Sequence, residues 1–186
     1  MKVTYTILGP ARRIVLAGIS LFAAALVSAA DEVATITSVA AEPGFAERHH
    51  LLHGLSEPEL RSGAPRLIGF MAAEQVPQGM RPVDYMSLVN DSYNLLVEHG
   101  IHVQILLDLS IRVIPDESAG GVWRDYCVQK FGYVLHRQDI SETSRISGFK
   151  ILDRLTKGEF PGMQGTGLIV ANNLKKHPFD SSDYWQ

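Results

Sequence analysis

Three histidines stand close together at His49, His50 and His53, with Glu47 just before them. On a helix, His49 and His53 share a face, and imidazoles four residues apart can ligate zinc or copper. The order is not His-Glu-x-x-His, so the general base of the zinc proteases is missing. The competing reading is a solvated, histidine-rich turn that carries no chemistry. A second set lies at Asp108, Ser110 and Arg112. In an extended segment these alternate residues point to one side, about 7 Å apart. There the carboxylate accepts, the hydroxyl donates or accepts, and the guanidinium recognises an anion. That stripe is the expected binding surface for a small molecule or a protein. Its bland counterpart is the wet face of a sheet.

Other chemistry is sparse. Cys127 is the single cysteine, which excludes an intrachain disulfide and a four-cysteine zinc site. Its place between Tyr126 and Val128 predicts burial rather than nucleophilic work. The glycine-rich stretch 162–167 lacks the strand-to-helix setting of a phosphate loop and reads as a flexible hairpin loop. Nucleophile elbow, Walker loop and dinucleotide fingerprint are all missing from the sequence. No catalytic set is complete and no cofactor is expected, so the sequence points to a non-enzymatic binding protein. A metal-dependent exported enzyme, or a metal-binding protein built on His49, His50 and His53, is the alternative.

The N-terminus supplies an address. Lys2, Arg12 and Arg13 precede an apolar run from Ile14 to Val27, and Ser28-Ala29-Ala30 follows. A basic, then apolar, then small-residue order is that of a secretory signal peptide, cleaved after Ala29 or Ala30. The run is short of the ~20 apolar residues that a bilayer span needs. No stable membrane span is therefore expected once residues 1–30 are removed. The remainder keeps fourteen basic residues against twenty acids, a net charge of −6. That balance discourages nucleic-acid binding, and the signal-peptide order predicts an exported protein, periplasmic or secreted.

Breakers at Pro43-Gly44, Pro58, Gly63-Ala64-Pro65 and Pro77 predict a loosely ordered leader over 31–65, with one short helix over 46–55. Residues 66–186 are expected to form a single domain. Its most secure element is a helix over 84–98, with apolar or aromatic side chains at 85, 88, 89, 93 and 96 and Gly100 to close it. From Ile101 to Val113 every odd position is Ile, Val or Leu, which reads as a half-buried strand. A Pro-Asp-Glu-Ser-Ala-Gly-Gly turn then leads to a second strand over 122–136. Further strands are expected over 66–71, 145–152 and 167–171. The fold class is thus α+β or mainly β, an antiparallel sheet or small curled barrel with one packed helix. The aromatics Phe179, Tyr184 and Trp185 are expected to dock on the core.

Leu88-Val89, Leu95-Leu96, Gly100, Val103 and Leu107-Asp108-Leu109-Ser110, followed by Gly120-Gly121 and Tyr126, resemble the VirK family of exported bacterial proteins. The likeness covers residues 84–136. The family's cysteine after Asp-Leu-Ser is replaced here by Ile111-Arg112. The resemblance implies a helix ending in glycine, a strand closing on Asp-Leu-Ser and a second, aromatic-bearing strand. It also implies secretion and an association with host interaction, and it supplies no catalytic residues.

Overall fold

The computed structural model describes residues 38, 39, 42, 44–73, 76 and 79–185, so the expected signal peptide and its cleavage site lie outside the described residues. Among the described residues seven α-helices follow one another and no strand is present. They are α1 (Phe45–His53), α2 (Glu57–Ala73), α3 (Pro82–Glu98), α4 (Val103–Val113), α5 (Gly121–Val134), α6 (Glu142–Thr156) and α7 (Gln164–Lys176). A 3-10 turn, Ser182–Tyr184, ends the series. The helices expected over 46–55 and 84–98 are α1 and α3. The antiparallel sheet or barrel is overturned. The segments 66–71, 101–113, 122–136, 145–152 and 167–171 fall chiefly in α2, α4, α5, α6 and α7. The two strands implied by the VirK resemblance are likewise α4 and α5.

The segment 101–113 shows why alternation misleads. As a helix it buries Val103, Leu106, Leu107, Leu109, Ser110 and Val113. Leu106 and Ser110 are even positions that a strand would turn to water, while Ile105, an odd position, is 49 % exposed. Val103, Leu107, Leu109 and Val113 belong to both patterns, so the period is ambiguous in a run this rich in leucine and isoleucine. The same run is rich in good helix formers.

Helix starts account for some of the breakers, and Pro77 lies outside the described residues. Pro58 lies in the first turn of α2 and Pro82 opens α3, where a missing N–H is no loss. Among the described residues only Pro65 lies in a helix interior, on an exposed face of α2. The leader expected to be loose over 31–65 therefore contains α1 and the first half of α2. Leu52, Leu60 and Ala64 from it are no more than 1 % exposed and join the same apolar cluster as Leu107 and Phe131. Ser56 and Glu59 mark the start of α2, with Glu59 Oε2 accepting from the Ser56 backbone N–H at 2.8 Å.

α1 and α2 pack on α3, and α3 in turn meets α4 and α5. α4, α5, α6 and α7 pack on one another as α4 on α5, α4 on α6, α5 on α7 and α6 on α7. Gly100, with φ of 63°, ends α3. The Ile101 N–H reaches the Leu96 carbonyl at 2.8 Å and the Gly100 N–H reaches Val97 at 3.1 Å, a paired closing motif that also brings Ile101 against Leu96. Gly148 lets α6 approach its neighbours: a Cβ there would stand 2.5 Å from Leu135 Cδ2. The stretch read as a flexible hairpin loop instead enters α7, with Gly167 buried. No described helix is long and apolar enough to cross a membrane.

The aromatic tail docks as expected. Tyr184 stacks on Phe149 at 4.7 Å, and Trp185 meets the same ring edge-on at 5.2 Å. Cys127 is buried as expected, although in a helix.

The helical register is tested by paired substitutions. Leu106→Ala is expected to destabilise by ~2–5 kcal/mol, as buried leucine truncations do. Ile105→Ala should stay within about 0.5 kcal/mol of wild type, as for exposed sites. Urea denaturation followed by circular dichroism reads both, and the reverse order would restore the strand. Leu60→Ala should cost a similar ~2–5 kcal/mol, because α2 belongs to the core.

Candidate functional site

Asn90, Asn94 and Glu98 recur every fourth residue on α3, so they share one face of the helix. α5 lies against α3 and brings Lys130 and Tyr133, one turn apart, to the same side. Asn94, Val97, Glu98, Lys130 and Tyr133 line a pocket of about 280 Å³. Lys130 is only 4 % exposed. Its Nζ donates to Asn90 Oδ1 at 2.7 Å and to Asn94 Oδ1 at 2.6 Å. The Tyr93 ring lies beneath it, with its centroid 5.8 Å from Nζ. Burial also pushes the Tyr93 phenol well above its ordinary range, so Tyr93 stays neutral.

The electrostatics of Lys130 follow from this setting. Burial pushes the ammonium down to about 8, against the opposing pull of Cys127 and Asp91. A substantial neutral fraction is therefore present near neutral pH, unlike that of a solvated lysine. The pocket pairs this group with one carboxylate, Glu98, and with the apolar surfaces of Val97 and Tyr133. Few polar groups converging beside apolar walls is the usual make-up of a small-molecule site.

The expected stripe at Asp108, Ser110 and Arg112 does not exist as one surface. These residues turn with α4, so Asp108 and Arg112 are exposed while Ser110 is fully buried. Asp108 accepts from Gln104 Nε2 at 2.9 Å and from Ser144 Oγ at 2.6 Å, which ties α4 to the start of α6. Ser110 Oγ donates to the Leu106 carbonyl at 3.0 Å and lies 2.9 Å from the Tyr93 hydroxyl. Both contacts are structural.

His49 and His53 do share a face of α1, with ring centroids 4.2 Å apart. His49 Nδ1 lies 3.3 Å from Asp91 Oδ2 on α3, and His50 is exposed. Among the described residues no group of three or more His, Cys, Asp or Glu side chains is gathered to hold a metal ion. A second histidine pair, His136 and His177, stacks at 4.0 Å, and burial followed by the His177 charge holds His136 below its ordinary range.

The expected strand over 122–136 leaves Lys130 without its neighbours on α3. The readable signal was the four-residue spacing of Asn90, Asn94 and Glu98 on the securely predicted helix. No family model, curated protein or solved structure matches the chain.

The buried amine makes stability depend on pH. Its folded value lies near 8 and its unfolded value near 10.5, so between those limits the unfolded chain binds more protons. Stability should therefore rise with pH through that window, and the penalty of burying the ammonium should be fully present below pH 8. Wild type and Lys130→Met, unfolded in urea from pH 7 to 10.5, should diverge in that sense. Parallel curves would show that Lys130 is not desolvated.

Proposed function

We propose that this chain is an exported, non-enzymatic binding protein of VirK-like type that holds a small molecule between α3 and α5. The pocket with Lys130 in its wall is the observation that carries the reading. At about 280 Å³ it lies just below the roughly 300–1,000 Å³ of drug-sized sites, which suits a compact ligand. The N-terminal order of basic, apolar and small residues supports export to the periplasm or beyond. The VirK resemblance over residues 84–136 supports a role facing a host. A metal-binding protein, or a metal-dependent exported enzyme, remains the second reading, favoured by the pairing of His49 and His53.

Thermal-shift screening of protein beginning at Asp31 separates these readings. A small organic compound should raise the melting temperature, Lys130→Met and Tyr133→Ala should abolish the rise, and His49→Ala should leave it intact. A rise produced by zinc or copper alone, and lost in His49→Ala, would install the metal reading. Mass spectrometry of the exported fraction should find a chain starting at Ala30 or Asp31; an intact Met1 there would overturn cleavage.

A further inference from the structure

Lys130 has features that a merely structural lysine does not need. A solvated lysine is an ammonium with three N–H donors. A neutral amine has two N–H groups and one lone pair. The two strong contacts of Lys130 Nζ are both acceptors, Asn90 Oδ1 at 2.7 Å and Asn94 Oδ1 at 2.6 Å. They match the two N–H groups of the neutral amine and leave the lone pair at the remaining tetrahedral position. The side chain is almost fully buried, yet it forms part of the wall of the α3–α5 pocket. Desolvation of this kind activates lysine as a nucleophile. Glu98 lines the same pocket and supplies an acid–base group, while Val97 and Tyr133 offer apolar surface to the rest of a ligand.

We infer that the α3–α5 pocket takes small carbonyl compounds, aldehydes or ketones with an apolar or aromatic body, and that Lys130 Nζ captures them reversibly as an imine. The inference rests on the reading of this pocket as the ligand site. In the first step the Nζ lone pair forms a bond to the carbonyl carbon, and the π electrons move to oxygen. The nitrogen gives up a proton to solvent and that oxygen takes one, giving a carbinolamine. The C–O bond then breaks, the second nitrogen proton leaves with the oxygen, and one water is released. Carbonyl plus amine becomes imine plus water, with no oxidant or reductant required. Asn90 and Asn94 are positioning residues, because they aim the amine. With Lys130 near 8 rather than 10.5, its neutral fraction at pH 7 is roughly 300-fold that of an ordinary lysine.

Benzaldehyde tests the inference, with benzyl alcohol as a partner of the same shape that lacks the carbonyl. The mature protein is treated with benzaldehyde and sodium cyanoborohydride at pH 7, and labelled lysines are mapped by peptide mass spectrometry. Lys130 should be labelled at least ~10-fold faster than the exposed Lys150 and Lys176, given its larger neutral fraction. Its advantage over exposed lysines should shrink as pH rises above about 8. Benzyl alcohol should slow the labelling of Lys130 without affecting Lys150. Lys130→Arg, which keeps donors for Asn90 and Asn94, should stay folded and lose the selective label. Labelling of Lys130 no faster than that of Lys150 overturns the inference. If benzyl alcohol still raises the melting temperature in that case, the pocket reading stands and only the covalent step falls. If neither compound has any effect, both fall.

Discussion

Helix ends within a packed bundle leave carbonyls that no residue of their own helix can satisfy, and in this protein arginines from later in the chain meet them. Arg137 Nη1 donates to the Val97 carbonyl in the last turn of α3 at 3.1 Å. Arg124 Nε donates to the Ile114 carbonyl beyond α4 at 2.8 Å. Arg145 donates to the Leu135 carbonyl at the end of α5, and through Nη2 to the Arg137 carbonyl at 2.8 Å. The first three are charge-assisted bonds placed at the negative end of a helix dipole. Leaving the Ile114 or Leu135 carbonyl unmet would cost about 1–3 kcal/mol, whereas the Val97 carbonyl also accepts from the Gly100 N–H at 3.1 Å. α3, α4 and α5 thus each have a terminal carbonyl met by an arginine further along the chain.

The pocket inherits its geometry from this arrangement. Val97 contributes to the pocket lining, and its carbonyl is the one held by Arg137. Arg137 follows α5 by three residues and is itself paired to Asp139 at 2.8 Å. The helix that carries Asn90, Asn94 and Glu98 is thus fastened to the end of the helix that carries Lys130 and Tyr133. The Lys130 bonds to the two asparagines add a second cross-link between the same helices. Between the two fasteners the helices cannot part to hydrate the amine without breaking these part-buried polar contacts. That is why Lys130 can remain desolvated beside an opening.

Some of this was legible in the sequence and some was not. α3 could be read because its apolar residues fall at helical spacing and at no other, and Gly100 sits where a left-handed residue must close it. α4 could not, because Leu107, Leu109 and Val113 satisfy periods of two and of 3.6 alike. The deciding residues were Leu106 and Ser110, which break alternation and complete a helical face. Once α4 was taken for a strand, α5 and the later helices followed it into a sheet, and Lys130 lost its neighbours on α3. The Asp108, Ser110 and Arg112 stripe failed for the same reason, since it exists only at a period of two. Ser56 and Glu59 cap the start of α2 in a stretch whose prolines and glycines read as breakers. Pairings such as Arg145 with Leu135 join a side chain to a backbone atom, and no residue pattern records the acceptor.

The junction between α3 and α4 contrasts with the one that follows α4. Residues 99–102 close one helix and open the next with two requirements for left-handed backbone, at Gly100 and at His102 with φ of 52°. A Cβ at Gly100 would also press within 3.2 Å of Arg137 Nη2. That corner has no slack, so its length is as constrained as a core position. Residues 115–118 are all exposed, and Ser118 is braced only by Asp116 within the loop. Exposed tips of this kind tolerate added chain. A reporter peptide or an affinity handle belongs there, on the far side of α4 from the rigid corner.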